Sequence, residues 1–196
     1  MILDGSDGSD GMVVLLFIKR RFNDCEKDLK VQTRFQWMLV HPAHIIAQGM
    51  GSGLLHPASG TWGTLVGWLV FVFLNQSLGA YAWAWPLVLA VSFPIGVWAC
   101  HVTGKQLGVH DDSSIVFDEM WAIWLVMLFV MPAPLWQQAI AFALFRLFDI
   151  WKPYPIRLVD AQWTNGLGVM LDDVMAAFYA LLVFSVGKQV FFWMMS

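Results

Sequence analysis

The chain is poor in charge and almost without cysteine. Of its 196 residues only 13% are Asp, Glu, Lys or Arg, about half the roughly 25% of a soluble domain, while 59% are hydrophobic against roughly 45–50%. That imbalance excludes an ordinary soluble globule and points to a polytopic membrane protein. There is room for one domain and four or five membrane segments of about 20 residues each. Cys25 and Cys100 have no paired spacing, which excludes a disulfide framework and a cysteine-based metal site. No basic face suited to nucleic acid exists. Six of the eleven Lys and Arg residues (Lys19, Arg20, Arg21, Lys27, Lys30 and Arg34) come early, and the positive-inside tendency assigns that segment to the cytoplasm. A secretory signal would need a positive start, whereas residues 1–11 are acidic and rich in Gly and Ser. Residues 1–35 read as a poorly ordered or surface-lying extension, and residues 36–196 as the membrane-embedded domain.

Apolar residues 64–78 and 82–99 make a first pair of membrane segments, turned in the Asn75 to Gly79 region. Residues 120–131 and 135–148 make a second pair, split by Pro132-Ala133-Pro134, which removes helical donors. Each arm of the second pair reaches only about 18–21 Å at 1.5 Å per residue, short of a core about 30 Å thick. It reads as a tight or re-entrant helical hairpin buried in protein, one that either crosses the bilayer or only enters it. Residues 174–195 supply the last span, and residues 37–50 suit an interfacial helix. The expected fold is all-α, a polytopic helical bundle with a short, Pro-broken hairpin. Counting crossings puts every acid-bearing junction on the face where the chain begins.

Those acids are the chain's most telling feature. Beyond residue 30 every Asp and Glu lies between Asp111 and Asp173, namely Asp111, Asp112, Asp118, Glu119, Asp149, Asp160, Asp172 and Asp173. Uncompensated charge near hydrocarbon costs several kcal/mol, so acids at the edges of apolar segments suggest hard cations held against an anion. Asp118 and Glu119 stand directly before an apolar segment. Asp172 and Asp173 open the last one, and two adjacent acids exceed what capping a helix requires. Arg146 and Asp149, three apart, share a helical face as a structural salt bridge or as a phosphate clamp beside a metal ligand.

Lys152 and Arg157 add positive charge beside prolines. Ser52 with its neighbouring glycines, and then Gly60-Thr61-Trp62-Gly63-Thr64 before a membrane helix, offer amides and hydroxyls to a phosphate. The same glycines also suit close helix packing. The candidate catalytic and metal set is therefore Asp118, Glu119, Asp149, Asp172 and Asp173. The candidate phosphate set is Ser52, Gly60, Thr61, Thr64, Arg146, Lys152 and Arg157, with Asp111, Asp112 and Asp160 in support. His110 is a candidate general acid, whereas His41, His44, His56 and His101 read as interfacial or packing residues. The tryptophans read first as interface belts and packing.

An oxygen-rich site without a histidine cluster selects Mg²⁺, which can position a phosphoryl group and activate water. Competing chemistries lack their letters. Neither cysteine is followed six positions later by Arg; Gln106 and Val31 stand there instead. No D-x-D-x-T/V pattern, Pro-Ser-Gly-His set or D-G-x-x-A-R pattern occurs, which disfavours phospho-aspartate, histidine-nucleophile and phosphatidyltransferase chemistry. A metal-activated water leads, with a covalent aspartyl intermediate as the alternative. A cation channel would carry its acids mid-span rather than at segment ends.

Four stretches, GSGLLHPASGTWGTL, GVHDDSSIVFDE, FRLFDIWKPYPIRLVD and NGLGVMLDDV, together resemble the bacterial phosphatidylglycerophosphatase A family over about residues 37–190. The resemblance implies an inner-membrane, Mg²⁺-dependent enzyme with its site facing the cytoplasm and no obligatory protein partner. Its phospholipid substrate would be phosphatidylglycerol phosphate, hydrolysed to phosphatidylglycerol and inorganic phosphate. By motif it carries Asp118 and Glu119 in an IVxDE element, Asp149 and Lys152 in FDxxKP, and Asp172 and Asp173 in LDD. This chain has Ser59, Asp112-Ser113 and Thr164-Asn165-Gly166 where the family often has Pro, His-Gly and His-Gly-Gly, so no role passes to a loop histidine.

Overall fold

A computed structural model describes residues 34–109 and 112–195. The chain divides into two compact units, Met1–Trp37 and Met38–Ser196, and of the first only residues 34–37 are described, all helical. The expectations for residues 1–33, His110 and Asp111 lie outside the described residues.

The second unit is all-α, with no strand among its described residues. It opens with α1 (Pro42–Ala47), where Pro42 fits the first helical turn and His41 Nδ1 accepts from the Ala43 amide at 3.1 Å. A 3₁₀ stretch, Gly49–Leu54, follows; Gly49, Met50 and Gly51 there take left-handed φ values of 53°, 55° and 99°. The single interfacial helix expected over 37–50 is thus a six-residue helix and a kinked turn.

Three helices are long and apolar enough to cross a membrane: α2 (Ser59–Leu78), α3 (Ala84–Leu107) and the long C-terminal α7, whose span is Gly166–Met194 within Gly166–Met195. Between them lie α4 (Phe117–Val130), α5 (Leu135–Trp151) and the short α6 (Ile156–Gln162). At 1.5 Å per residue α4 and α5 are only about 21 and 26 Å long, shorter than the three long helices, against a hydrocarbon core of about 30 Å.

α4 is hydrophobic on all sides because it is the core. It packs against α2, α3, α5 and α7, and its Ala122, Ile123, Val126 and Met127 are completely buried. Two glycines of α2 make that packing close: a Cβ at Gly63 would strike Val116, and one at Gly67 would strike the Met120 backbone and Ile123. Tryptophan N–H groups then tie helices to backbone. Trp124 Nε1 donates to Gly67 O at 2.9 Å and Trp121 Nε1 to Leu89 O at 3.2 Å. Trp85, Trp121 and Trp124 are therefore core residues, whereas Trp83 and Trp151 are exposed, as belt residues are.

Helix ends depart most from expectation. α3 continues to Leu107, eight residues beyond the expected 99, until Gly108 at φ 74° closes it. Its added turns carry Thr103 and Gln106, whose side chains meet the two ring nitrogens of buried His44 at 3.0 and 2.9 Å. Burial lowers the His44 pKa and favours the neutral ring. α7 begins at Gly166 instead of 174, so Asp172 and Asp173 sit about two turns inside a helix, beyond the reach of N-terminal capping.

Candidate active site

One pocket of about 290 Å³ gathers all five predicted acids: Asp118, Glu119, Asp149, Asp172 and Asp173. They arrive from three places in the sequence. Asp118 and Glu119 occupy the first turn of α4, Asp149 the last turn of α5, and the final pair the early part of α7. Antiparallel helix entry and exit brings these ends to one side of the bundle, as the crossing count requires.

The rim is built by Ser59, Gly60, Ser113 and Ile115. Residues 112–116 are pinned there by backbone and side chains. Val116 N donates to Ala47 O at 2.9 Å, Ser59 Oγ to Ser113 O at 2.5 Å, and Gln48 Nε2 to Ser114 Oγ at 3.4 Å. Asp112 folds the loop on itself, accepting from Ser114 N and Oγ at 2.9 and 2.6 Å. Ser59 and Ser113 are lining residues that sequence reasoning missed; the signal available was their position beside Gly60 and Asp112.

Two cations compensate the acids. Arg146 Nη1 lies 3.0 Å from Glu119 Oε2 and 2.5 Å from Asp149 Oδ2, with Thr64 Oγ1 at 3.4 Å. Thr64 is fully buried, and its hydroxyl, 2.9 Å from Glu119 Oε2 and 2.8 Å from Gly60 O, can donate to either. Gly60 is needed for space, since a Cβ there would collide with the Glu119 carboxylate. On the other side Lys152 Nζ donates to Asp172 Oδ2 at 2.6 Å and Asp160 Oδ1 at 2.9 Å. Asp118 Oδ1 and Asp172 Oδ1 each accept from the amide of the next residue, at 2.9 and 3.0 Å.

Charge does not balance. Five carboxylates against Arg146 and Lys152 leave a formal −3 in a pocket where Asp118, Asp149, Asp172 and Asp173 are at most 9% exposed. Burial pushes the Glu119 carboxyl up to about 7, with Arg146 pulling it down and Asp149 adding to the rise. Asp173 Oδ2 is buried with no hydrogen-bond partner. An orphaned carboxylate oxygen costs several kcal/mol unless it takes a proton or something cationic reaches it, and all-oxygen donors suit a hard divalent ion. The donor set therefore fits Mg²⁺ chemically. Among the described residues, however, no three acids or imidazoles already stand as a finished metal cluster, because Glu119, Asp149 and Asp172 are turned toward Arg146 and Lys152.

The phosphate set divides. Gly60, Arg146 and Lys152 line the pocket and Thr64 bonds to one of its acids. Ser52, Thr61 and Arg157 are not among its lining residues. Ser52 Oγ donates to Gly49 O at 2.9 Å and braces the 3₁₀ turn, while Thr61 is exposed on α2. The reason is helical register: positions 60, 63, 64 and 67 share the face toward α4, and 61 points elsewhere.

The model of the family described as Phosphatidylglycerophosphatase A matches residues 45–188. A Haemophilus influenzae protein named phosphatidylglycerophosphatase A is 47% identical over 146 residues, covering 74% of this chain and 88% of the relative. An Escherichia coli protein of the same name is 40% identical over 140 residues, covering 69% and 77%. A Bacteroides thetaiotaomicron protein, provisionally named phosphatidylinositol-3-phosphatase, is 36% identical over 151 residues, covering 74% and 93%. No solved structure matches the chain. With the family's match extending through every helix that contributes an acid to the pocket, the chain belongs to the phosphatidylglycerophosphatase A family.

Proposed function

We propose that this protein hydrolyses phosphatidylglycerol phosphate to phosphatidylglycerol and inorganic phosphate in phospholipid synthesis, at the cytoplasmic face of a bacterial inner membrane. The observation that carries the reading is the gathering of five carboxylates and two cations in one pocket at one end of a membrane bundle. At that end a lipid can keep its chains in the bilayer while its headgroup phosphate enters the pocket.

Glu119, Asp172 and Asp173 would hold Mg²⁺, and whichever of Asp118 and Asp149 does not act as base would complete the site. Bound there, the ion supplies charge for the phosphoryl oxygens and makes water a stronger nucleophile. The chain's own groups do the rest. Arg146 and Lys152, with Thr64 and the space left at Gly60, orient the phosphate by charge-assisted hydrogen bonds. Asp118 or Asp149 takes the proton of the attacking water. The water oxygen bonds to phosphorus, the P–O bond to the glycerol breaks, and the alcohol leaves with the proton that the carboxylate took.

The test is phosphate release by purified protein in lipid–detergent micelles. Release from phosphatidylglycerol phosphate, abolished by chelation and restored by Mg²⁺, is the expected result. Phosphatidylinositol 3-phosphate belongs in the same assay because one relative's name points to it. Faster turnover of that lipid would replace the proposed substrate, and full activity after chelation would remove the proposed metal.

A further inference from the structure

Arg157, which the sequence places with the phosphate ligands, lines a different cavity. A groove of about 310 Å³ beside the acid pocket is formed by Trp151, Lys152, Pro153, Tyr154, Arg157 and Leu158. Lys152 lines both spaces, so the two are neighbours. The groove contains no carboxylate, and Arg157 has no ion-pair partner among the described residues. Trp151 is 62% exposed, Tyr154 76% and Leu158 41%, an apolar surface with polar edges of the kind found at headgroup depth.

The acid pocket, about 290 Å³, stands at the small end of ligand sites. It is too small for a whole phospholipid, so part of the lipid lies outside it. A lipid phosphomonoester carries a second anion, the phosphodiester that joins its headgroup to diacylglycerol. We propose that the groove binds this phosphodiester, with the Arg157 guanidinium on its oxygens and Trp151, Tyr154 and Leu158 against the adjoining glycerol and first acyl carbons. The proposal rests on reading the acid pocket as a lipid phosphomonoesterase.

Charge complementarity and adjacency both support it. A guanidinium fork matches phosphate oxygens, and the one residue common to groove and pocket is itself a cation. The fold also fixes Arg157 relative to Lys152. Ile156, next to it in α6, is fully buried, and Asp160 of the same helix pairs with Lys152 at 2.9 Å. Asp160 thereby gains a positioning role: it couples the helix bearing Arg157 to the pocket's lysine.

The experiment compares wild type, Arg157→Gln and Arg157→Lys as full-length protein in micelles. Three quantities are measured: kcat and KM for phosphatidylglycerol phosphate, inhibition by short-chain phosphatidylglycerol, and inhibition by inorganic phosphate. Phosphatidylglycerol keeps the diester without the monoester, whereas inorganic phosphate probes the acid pocket alone. Arg157→Gln should raise KM and the phosphatidylglycerol inhibition constant about 10–100-fold, with far less effect on the phosphate constant, and Arg157→Lys should recover part of the loss. Equal shifts for both inhibitors, or no shift in either, would overturn the groove assignment. If wild type releases no phosphate from the lipid, the proposed function fails, and the groove is then judged by direct binding of short-chain phosphatidylglycerol to wild type and Arg157→Gln.

Discussion

Arg146 and Lys152 face the same acids but are held in different ways. Arg146 projects from within α5, its side chain 13% exposed, and meets Glu119, Asp149 and Thr64 with one nitrogen. Lys152 caps the end of α5, its side chain 24% exposed, and bridges Asp172 of the pocket to Asp160 of α6. Lys152 also adopts φ 43°, a left-handed position usually given to glycine, at a cost of roughly 1–2 kcal/mol. The comparison separates two tasks. Arg146 keeps buried acids from repelling one another, and Lys152 connects the pocket to the helix and groove outside it.

Substitutions can break this comparison, and the largest effect lies with the acids themselves. Asp173→Asn should cut phosphate release on the order of 1000-fold while leaving the protein folded, because it removes the unpartnered oxygen and keeps the shape. Next comes Arg146→Ala, which leaves Glu119 and Asp149 without their buried partner and should cost about 3–5 kcal/mol, read as a lower melting temperature in detergent.

Lys152 sharpens the contrast further. Both Lys152→Ala and Lys152→Gly should lose activity, yet the glycine variant should be the more stable by about 1 kcal/mol, since it relieves the left-handed backbone. Equal melting temperatures for the two would remove that account of Lys152. The smallest expected effect is with pH. A carboxyl pushed up to about 7 must lose its proton to ligate a cation, so apparent Mg²⁺ affinity should strengthen from pH 6 to pH 8, by at most about tenfold per unit below 7. A metal titration at three pH values checks the sign.

Much of this arrangement was legible from residue order alone. Long apolar runs announced the spans, Pro132 and Pro134 announced the hairpin, and crossing parity brought the separated acids together. Helix ends were less legible because tertiary contacts decide them. Thr103 and Gln106 look like polar loop residues until His44 supplies a buried partner, and Gly166 and Gly168 look like a loop until close packing lets α7 start at them. Gly168 leaves no room for a Cβ against Trp163, and Gly166 leaves none against α3. The phosphate cradle was half legible for the same reason. Composition flagged residues 60–64 together, but only helical register separates Gly60 and Thr64 from Thr61. Arg157 lines the neighbouring groove instead of the acid pocket because residues 156–162 form a helix, which no pattern of apolar residues announces.

The central claim is that five acids, three of them already engaged by Arg146 or Lys152, take up a divalent cation that phosphate hydrolysis requires. Its most direct test is Mn²⁺ binding followed by electron paramagnetic resonance, with phosphate release from phosphatidylglycerol phosphate recorded on the same wild-type and Asp173→Asn samples. The account predicts saturable Mn²⁺ binding in wild type, weakened at least tenfold in Asp173→Asn, with activity lost in parallel. Undiminished binding in the variant, or activity that persists without bound ion, would contradict it.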